Sequence, residues 1–215
     1  MKTLDELLEH YAGIAYHKQM DFSDIIAGIN RWNVDLTKEE IVFGPNLSFK
    51  IQIIGTLAHA SNSWLWAWAN TQSAFPENIT RQSLELKKYG EENDITMLNT
   101  PIIPLSKEGL HFIGMVASGM FHSTAYYIAD YGQGTMLVTV KGDQIIHADD
   151  DHESILIFFP MLISRYEMNH KIALTNYLQA KGYTTSEQQN KLVGTKGVNT
   201  ITAEFDDLFR LTNLQ

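Results

Sequence analysis

Gln52-Ile53-Ile54-Gly55-Thr56, followed after a short polar turn by Trp64-Leu65-Trp66-Ala67-Trp68-Ala69-Asn70, decides the fold. Just upstream, Phe49, Ile51 and Ile53 alternate with Ser48, Lys50 and Gln52, the period-two pattern of a strand with one buried face. Gly55 then removes a side chain from the row. A glycine inside a strand marks a bulge or a close approach of another chain segment. Ala60-Ser61-Asn62-Ser63 is a turn, and the tryptophan segment returns. At strand spacing Trp64, Trp66 and Trp68 share one face, with Leu65, Ala67 and Ala69 on the other. Two such strands joined by a short polar turn form the centre of an antiparallel meander.

Working toward the N-terminus, Gly44-Pro45-Asn46 is a turn and Ile41-Val42-Phe43 a strand. Trp32, Val34 and Leu36 alternate with polar residues as another strand would. Thr3 and Glu6 have capping-box spacing, and Leu4, Leu7, Leu8, Tyr11, Ile14 and Ala15 form one helical stripe. A second short helix is expected over 21–30.

Toward the C-terminus, Pro76 and Gly90 bracket a surface helix. Residues 95–105, with two prolines, read as extended and irregular. Leu110 to Ile128 reads as a buried helix, with Gly109, Gly114 and Gly119 marking close approach by another element. Met136 to Val140 reads as a strand. A helix follows near Glu153, with Pro160 ending or kinking it, and Asn169 caps another through Lys181. Val198 to Phe205 and Leu208 to Leu214 form a C-terminal hairpin. The fold class is therefore α+β, a single domain over 1–215. Its sheet is mostly antiparallel (meander plus C-terminal hairpin), with helices packed on one face.

The tryptophan core resembles that of a bacterial family of uncharacterised proteins. In that family a G-[ST] strand leads into a W-L-W-A-W-A-N strand, here Gly55-Thr56 and Trp64 to Asn70. A helix with a Tyr-Gly turn follows, here Tyr89-Gly90. A later buried helix ends in an aromatic pair, here Tyr126-Tyr127. The resemblance covers 30–140 and implies no activity, because the family is a domain of unknown function.

Composition excludes several classes. Lys+Arg number 16 and Asp+Glu 25, a formal charge of −9. That balance opposes non-specific nucleic-acid binding, so no nucleic-acid partner is expected. The charge is spread, at −3, −2 and −4 over 1–70, 71–142 and 143–215. Absence of cysteine excludes disulfides, thiolate metal sites and cysteine nucleophiles, and suits the cytoplasm. Neither a signal peptide nor a membrane span is expected. There is no P-loop, dinucleotide fingerprint or nucleophile elbow, and no cofactor is implied.

Two groups of residues remain as candidates. Trp64, Trp66, Trp68, Asn70 and Tyr126 would line a ligand pocket if the aromatic face were open; otherwise they are core. His147, Asp149 and His152 sit in a run of imidazoles and carboxylates that would hold a divalent metal if the side chains converged. The same run would otherwise be a solvated loop capping the next helix. On the apolar segment, His111 and His122 read as structural histidines. Three functional readings follow, and no catalytic motif favours an enzyme. The first is a non-enzymatic binding protein (immunity or accessory type) meeting a basic protein partner. The second is a small-molecule binder using the tryptophan face. The third is a metal-dependent hydrolase.

Overall fold

A computed structural model describes residues 3–143 and 152–215. The chain starts with α1 (Leu4–Ile25), its first turn held by Thr3, whose hydroxyl accepts the Glu6 N–H at 3.1 Å. Asp5 and Glu6 add negative charge where the helix dipole is positive. The two helices expected over 3–30 are thus one helix, since neither proline nor a cap interrupts it.

The meander then forms from β1 (Trp32–Asp35), β2 (Glu40–Phe43), β3 (Leu47–Ala58) and β4 (Ser63–Trp66). Asp35 makes the first turn by accepting the N–H groups of Thr37 and Lys38. β3 is the hub. Leu47–Lys50 pairs with β2, Gly55–Ala58 with β4, and Lys50–Ala58 with β7 (Gly134–Lys141), all antiparallel. The register with β7 slips between Ile53 and Gly55, leaving Ile54 as the extra residue of a bulge next to the expected glycine. β5 (Ile102–Pro104) extends the sheet beyond β4, and β6 (Ala125–Asp130) pairs with β7, making seven strands.

The tryptophan strand is shorter than its alternation predicts. β4 ends at Trp66, and Ala67–Ala69 forms a single 3₁₀ turn. Helix α2 (Arg81–Glu92) causes this. The buried hydroxyl of Ser83 donates to the Ile54 carbonyl (2.9 Å) and accepts the Trp68 N–H (3.3 Å). The chain after Trp66 therefore bonds to a helix instead of to β3. Gly90 lies inside α2, where a Cβ would come within 2.6 Å of Leu98 Cβ, so it permits contact and does not end the helix. Within 95–105, Thr96–Asn99 forms a short helix, α3, before β5.

The apolar stretch 110–128 also divides. α4 (Lys107–Met120) ends where His122 takes a left-handed conformation (φ 49°), and the chain re-enters the sheet as β6. Tyr126-Tyr127 therefore lies on a strand. α5 (His152–Ile163) keeps Pro160 within it, and α6 (His170–Ala180) starts at Asn169, which accepts the Ile172 N–H at 3.0 Å. The expected C-terminal hairpin is half of a four-stranded antiparallel sheet: β8 (Thr184–Gln188), β9 (Lys191–Lys196), β10 (Asn199–Phe205) and β11 (Leu211–Leu214). Among the described residues, no helix is long and apolar enough to cross a membrane.

The helices α1, α4, α5 and α6 share one core with Trp64, Trp66, Leu137 and, from the second sheet, Leu192 and Ile201. A smaller core gathers Phe22, Phe43, Phe49 and Tyr127, whose rings meet edge to face. At the hub, a Cβ on Gly55 would lie 2.4 Å from Trp64 Cζ2 and 2.6 Å from the Leu65 carbonyl oxygen. Gly55→Ala should therefore cost about 2–3 kcal/mol, read as a lower urea midpoint at unchanged slope. An unchanged midpoint would show that β4 yields freely.

Candidate functional site

Helix α1 runs between α4 and α6, and two glycines set the spacing. A Cβ on Gly13 would lie 2.4 Å from Tyr177 Cβ in α6, and one on Gly119 in α4 would lie 2.5 Å from Tyr11 Cβ. The three helices therefore touch at backbone range, and longer side chains beside these contacts leave a cleft of about 740 Å³. His10 and Lys18 of α1, His122 after α4, and Lys181 and Lys196 from the C-terminal part line it. No carboxylate is among its described lining residues. An acidic protein thus carries a concavity whose titratable lining, apart from Tyr11, consists of lysines and imidazoles. Tyr11, Ile14 and Ala15 supply an apolar wall.

Burial shapes the chemistry of this cleft. Lys18 is half-buried, and desolvation pulls its ammonium below the ordinary lysine value. One of its protons goes to the Ser123 carbonyl oxygen at 3.2 Å. Burial, then the phenol of Tyr89, hold Tyr11 above the usual tyrosine value, so it stays neutral. Behind the cleft, His17 is buried, with Nδ1 in a short hydrogen bond to the Tyr177 hydroxyl. Its Nε2 lies 3.4 Å from Lys181 Nζ and 3.9 Å from Asp21 Oδ2.

A second cavity, of about 590 Å³, opens beside the start of α4. Asp5, Glu108, His111, Arg165, Tyr166 and Glu167 are among its lining residues. His111 Nδ1 lies 2.9 Å from the hydroxyl of buried Tyr126. Burial, then the phenols of Tyr166 and Tyr16, push Tyr126 well above the usual tyrosine range. It therefore remains a phenol, able to give or take the proton of its bond to His111.

The residues singled out from sequence scatter. Trp64 and Trp66 are fully buried, their rings 5.4 Å apart and at 85°. Trp66 Nε1 donates to the Met97 carbonyl at 3.1 Å. Trp68 sits on the 3₁₀ turn, half-buried, with Lys87 Nζ 4.8 Å from its ring centre. Asn70 accepts the Ser73 N–H at 3.0 Å and so starts a loop. These four residues line neither cavity. Tyr126 reaches the second cavity through His111. His147 and Asp149 lie outside the described residues. His152 opens α5 and places Nδ1 3.0 Å from the Tyr183 hydroxyl. No group of three or more metal-ligating residues gathers among the described residues. Sequence reasoning missed the cleft cations. One signal was available: His10, Ile14, His17, Lys18 and Asp21 recur at 3- and 4-residue spacing along α1.

A family model, the family of unknown function DUF6882, matches residues 5–142, and the chain belongs to that family. No curated protein matches it. No solved structure matches it either. The matched segment runs from the first turn of α1 past the end of β7, and supplies His10, Lys18 and His122 to the cleft. Lys181 and Lys196 come from the remainder.

His111 supplies a pH signature. Burial, reinforced by Arg165 and opposed by Glu108, holds its pKa below the ordinary histidine value. The unfolded chain takes up this proton at about pH 6.5, before the folded one does. The related stability is therefore complete above that value and is lost as pH falls through the lower folded value. His170, also depressed by burial, acts in the same direction. The melting temperature should fall between about pH 7 and about pH 5, and His111→Gln should flatten the fall. An identical pH profile in the variant would remove His111 from this explanation.

Proposed function

We propose that this member of the DUF6882 family is a binding protein. Its ligand is a small anion with an apolar body, seated in the cleft between α1, α4 and α6. The observation that carries this reading is the five cationic or imidazole side chains on one concavity of a chain with net charge −9. Its volume falls within the range of about 300–1,000 Å³ usual for ligand sites. A phosphate or carboxylate would meet Lys18, His10 and His122, while an apolar body would rest on Tyr11 and Ile14. Half-buried Lys18 has lost part of its hydration, so an anion beside it is worth more than one beside a surface lysine. The left-handed backbone at His122 closes α4, its N–H bonded to the Gly119 carbonyl, and that turn sets the imidazole beside the cleft.

Among the sequence readings, this is the small-molecule binder moved from the tryptophan face to the helix cleft. The basic-partner reading has only the spread net charge behind it; the cleft has side chains held in place. The metal-hydrolase reading rests on His147 and Asp149, and gains no support from the described residues.

Titration calorimetry with phenyl phosphate and with inorganic phosphate tests the proposal. Phenyl phosphate should bind saturably and more tightly, and raised salt should weaken both. Lys18→Met should lower the affinity about tenfold, the equivalent of one charge-assisted hydrogen bond. Failure of both compounds to bind at millimolar concentration, or equal affinity in the variant, would overturn it.

A further inference from the structure

The second cavity, beside the start of α4, carries charges of both signs. Asp5, Glu108 and Glu167 contribute carboxylates, and Arg165 a guanidinium. Opposite charges around one opening ordinarily pair. Among the described residues, none of these four makes an ion pair within 4.0 Å with any other residue, and only the Glu108 carboxylate is otherwise bonded, to its own N–H and to Ser106. Charges that face one space yet stay apart are best satisfied by a molecule that carries both signs. Phe112 and Tyr166, both half-buried, add aromatic walls to the same space. Behind these walls lies a buried polar layer. Tyr126 bonds His111, and the Tyr16 hydroxyl has no hydrogen-bond partner among the described residues.

We infer that this cavity binds a free α-amino acid with an apolar side chain. The ammonium lies toward Asp5, Glu108 and Glu167, and the carboxylate toward Arg165. The side chain packs against Phe112 and Tyr166, as aromatic walls do for apolar ligand bodies. A simple anion meets three carboxylates, and a simple cation leaves Arg165 without a counter-charge, so the zwitterion alone answers both signs. His111 stays neutral near pH 7, because burial and Arg165 both disfavour its charge. It therefore adds no net charge to the site and offers one N–H. The inference is independent of the anion cleft, whose lining shares no residue with this cavity.

A charge-deletion series of ligands tests it on the full chain. The probes are L-phenylalanine, phenethylamine (which lacks the carboxylate) and 3-phenylpropionate (which lacks the ammonium), the last titrated into Lys18→Met so that the anion cleft does not take it up. Calorimetry should show saturable binding of L-phenylalanine, with each single-charge analogue weaker by about tenfold or more. Arg165→Gln should weaken L-phenylalanine and strengthen phenethylamine, which loses a like charge. The Asp5→Asn and Glu167→Gln double variant should do the reverse, weakening L-phenylalanine and strengthening 3-phenylpropionate. All three positions are exposed, so these variants keep the core intact. The His111 ring resonances should shift on titration, and Lys18→Met should bind L-phenylalanine normally. The inference is overturned if L-phenylalanine does not bind at millimolar concentration. It is equally overturned if phenethylamine binds as tightly, or if both charge variants bind L-phenylalanine as the parent does.

Discussion

The missing side chain at Gly55 is the constraint on which the sheet depends. Trp64 occupies the space a Cβ would take, and β4 can lie in register on β3 only because that space is empty. The slip that lets β3 pair with β7 along its length falls on Ile54, the residue just before Gly55. A bulge bends its strand and raises its twist. Two neighbouring residues thus meet two requirements, close tryptophan packing and a change of strand direction. A side chain at Gly55 would oppose the packing, because the Leu65 carbonyl is backbone and cannot turn aside as a flexible side chain can.

From that hub the structure passes to helix α1. The sheet places β6 where the Tyr126 N–H reaches the side chain of Gln19 in α1 at 3.2 Å. It places β7 beneath α4. α1 is then held from α4 by Gly119 and from α6 by Gly13, so its polar residues cannot all reach solvent. Some turn inward and are met by partners, as His17 is by Tyr177. Others open onto space left between helices, as His10 and Lys18 do. Both cavities are therefore products of helix packing around α1. One takes Asp5 from its first turn, and the other takes residues from about one and a half to three and a half turns further on.

What the sequence revealed, and what it hid, follows from the range of the forces involved. Caps act within four residues, so Thr3 and Asn169 were legible. Alternation of Phe49, Ile51 and Ile53 reports a local pleat, and the family resemblance rested on that same neighbourhood. Trp68 looked like a third member of the tryptophan row because alternation continues past Trp66. The strand ends there on account of Ser83, fifteen residues away. Residues 110–128 are apolar enough to suit either a buried helix or a buried strand, and periodicity alone does not divide them. β8 and β9 escaped notice for the opposite reason. Thr184–Gln188 is mostly exposed and has no apolar alternation to detect.

The two cavities were hidden for a deeper reason. Their titratable groups come from residues near 10, 18, 122, 181 and 196 in one case, and from 5, 108, 165 and 167 in the other. No local window contains either set. The net charge of −9 points away from the first altogether, yet net charge is a poor guide to a concave site. Charges beyond a Debye length, about 8 Å at physiological salt, are largely screened, whereas side chains around a low-dielectric cleft act at short range. The acidic residues of the outer surface can therefore set solubility and long-range approach, and leave the sign of the cleft to Lys18 and its neighbours. Composition describes the first of these effects. Ligand choice belongs to the second, which exists only once α1 has been packed between its two neighbours.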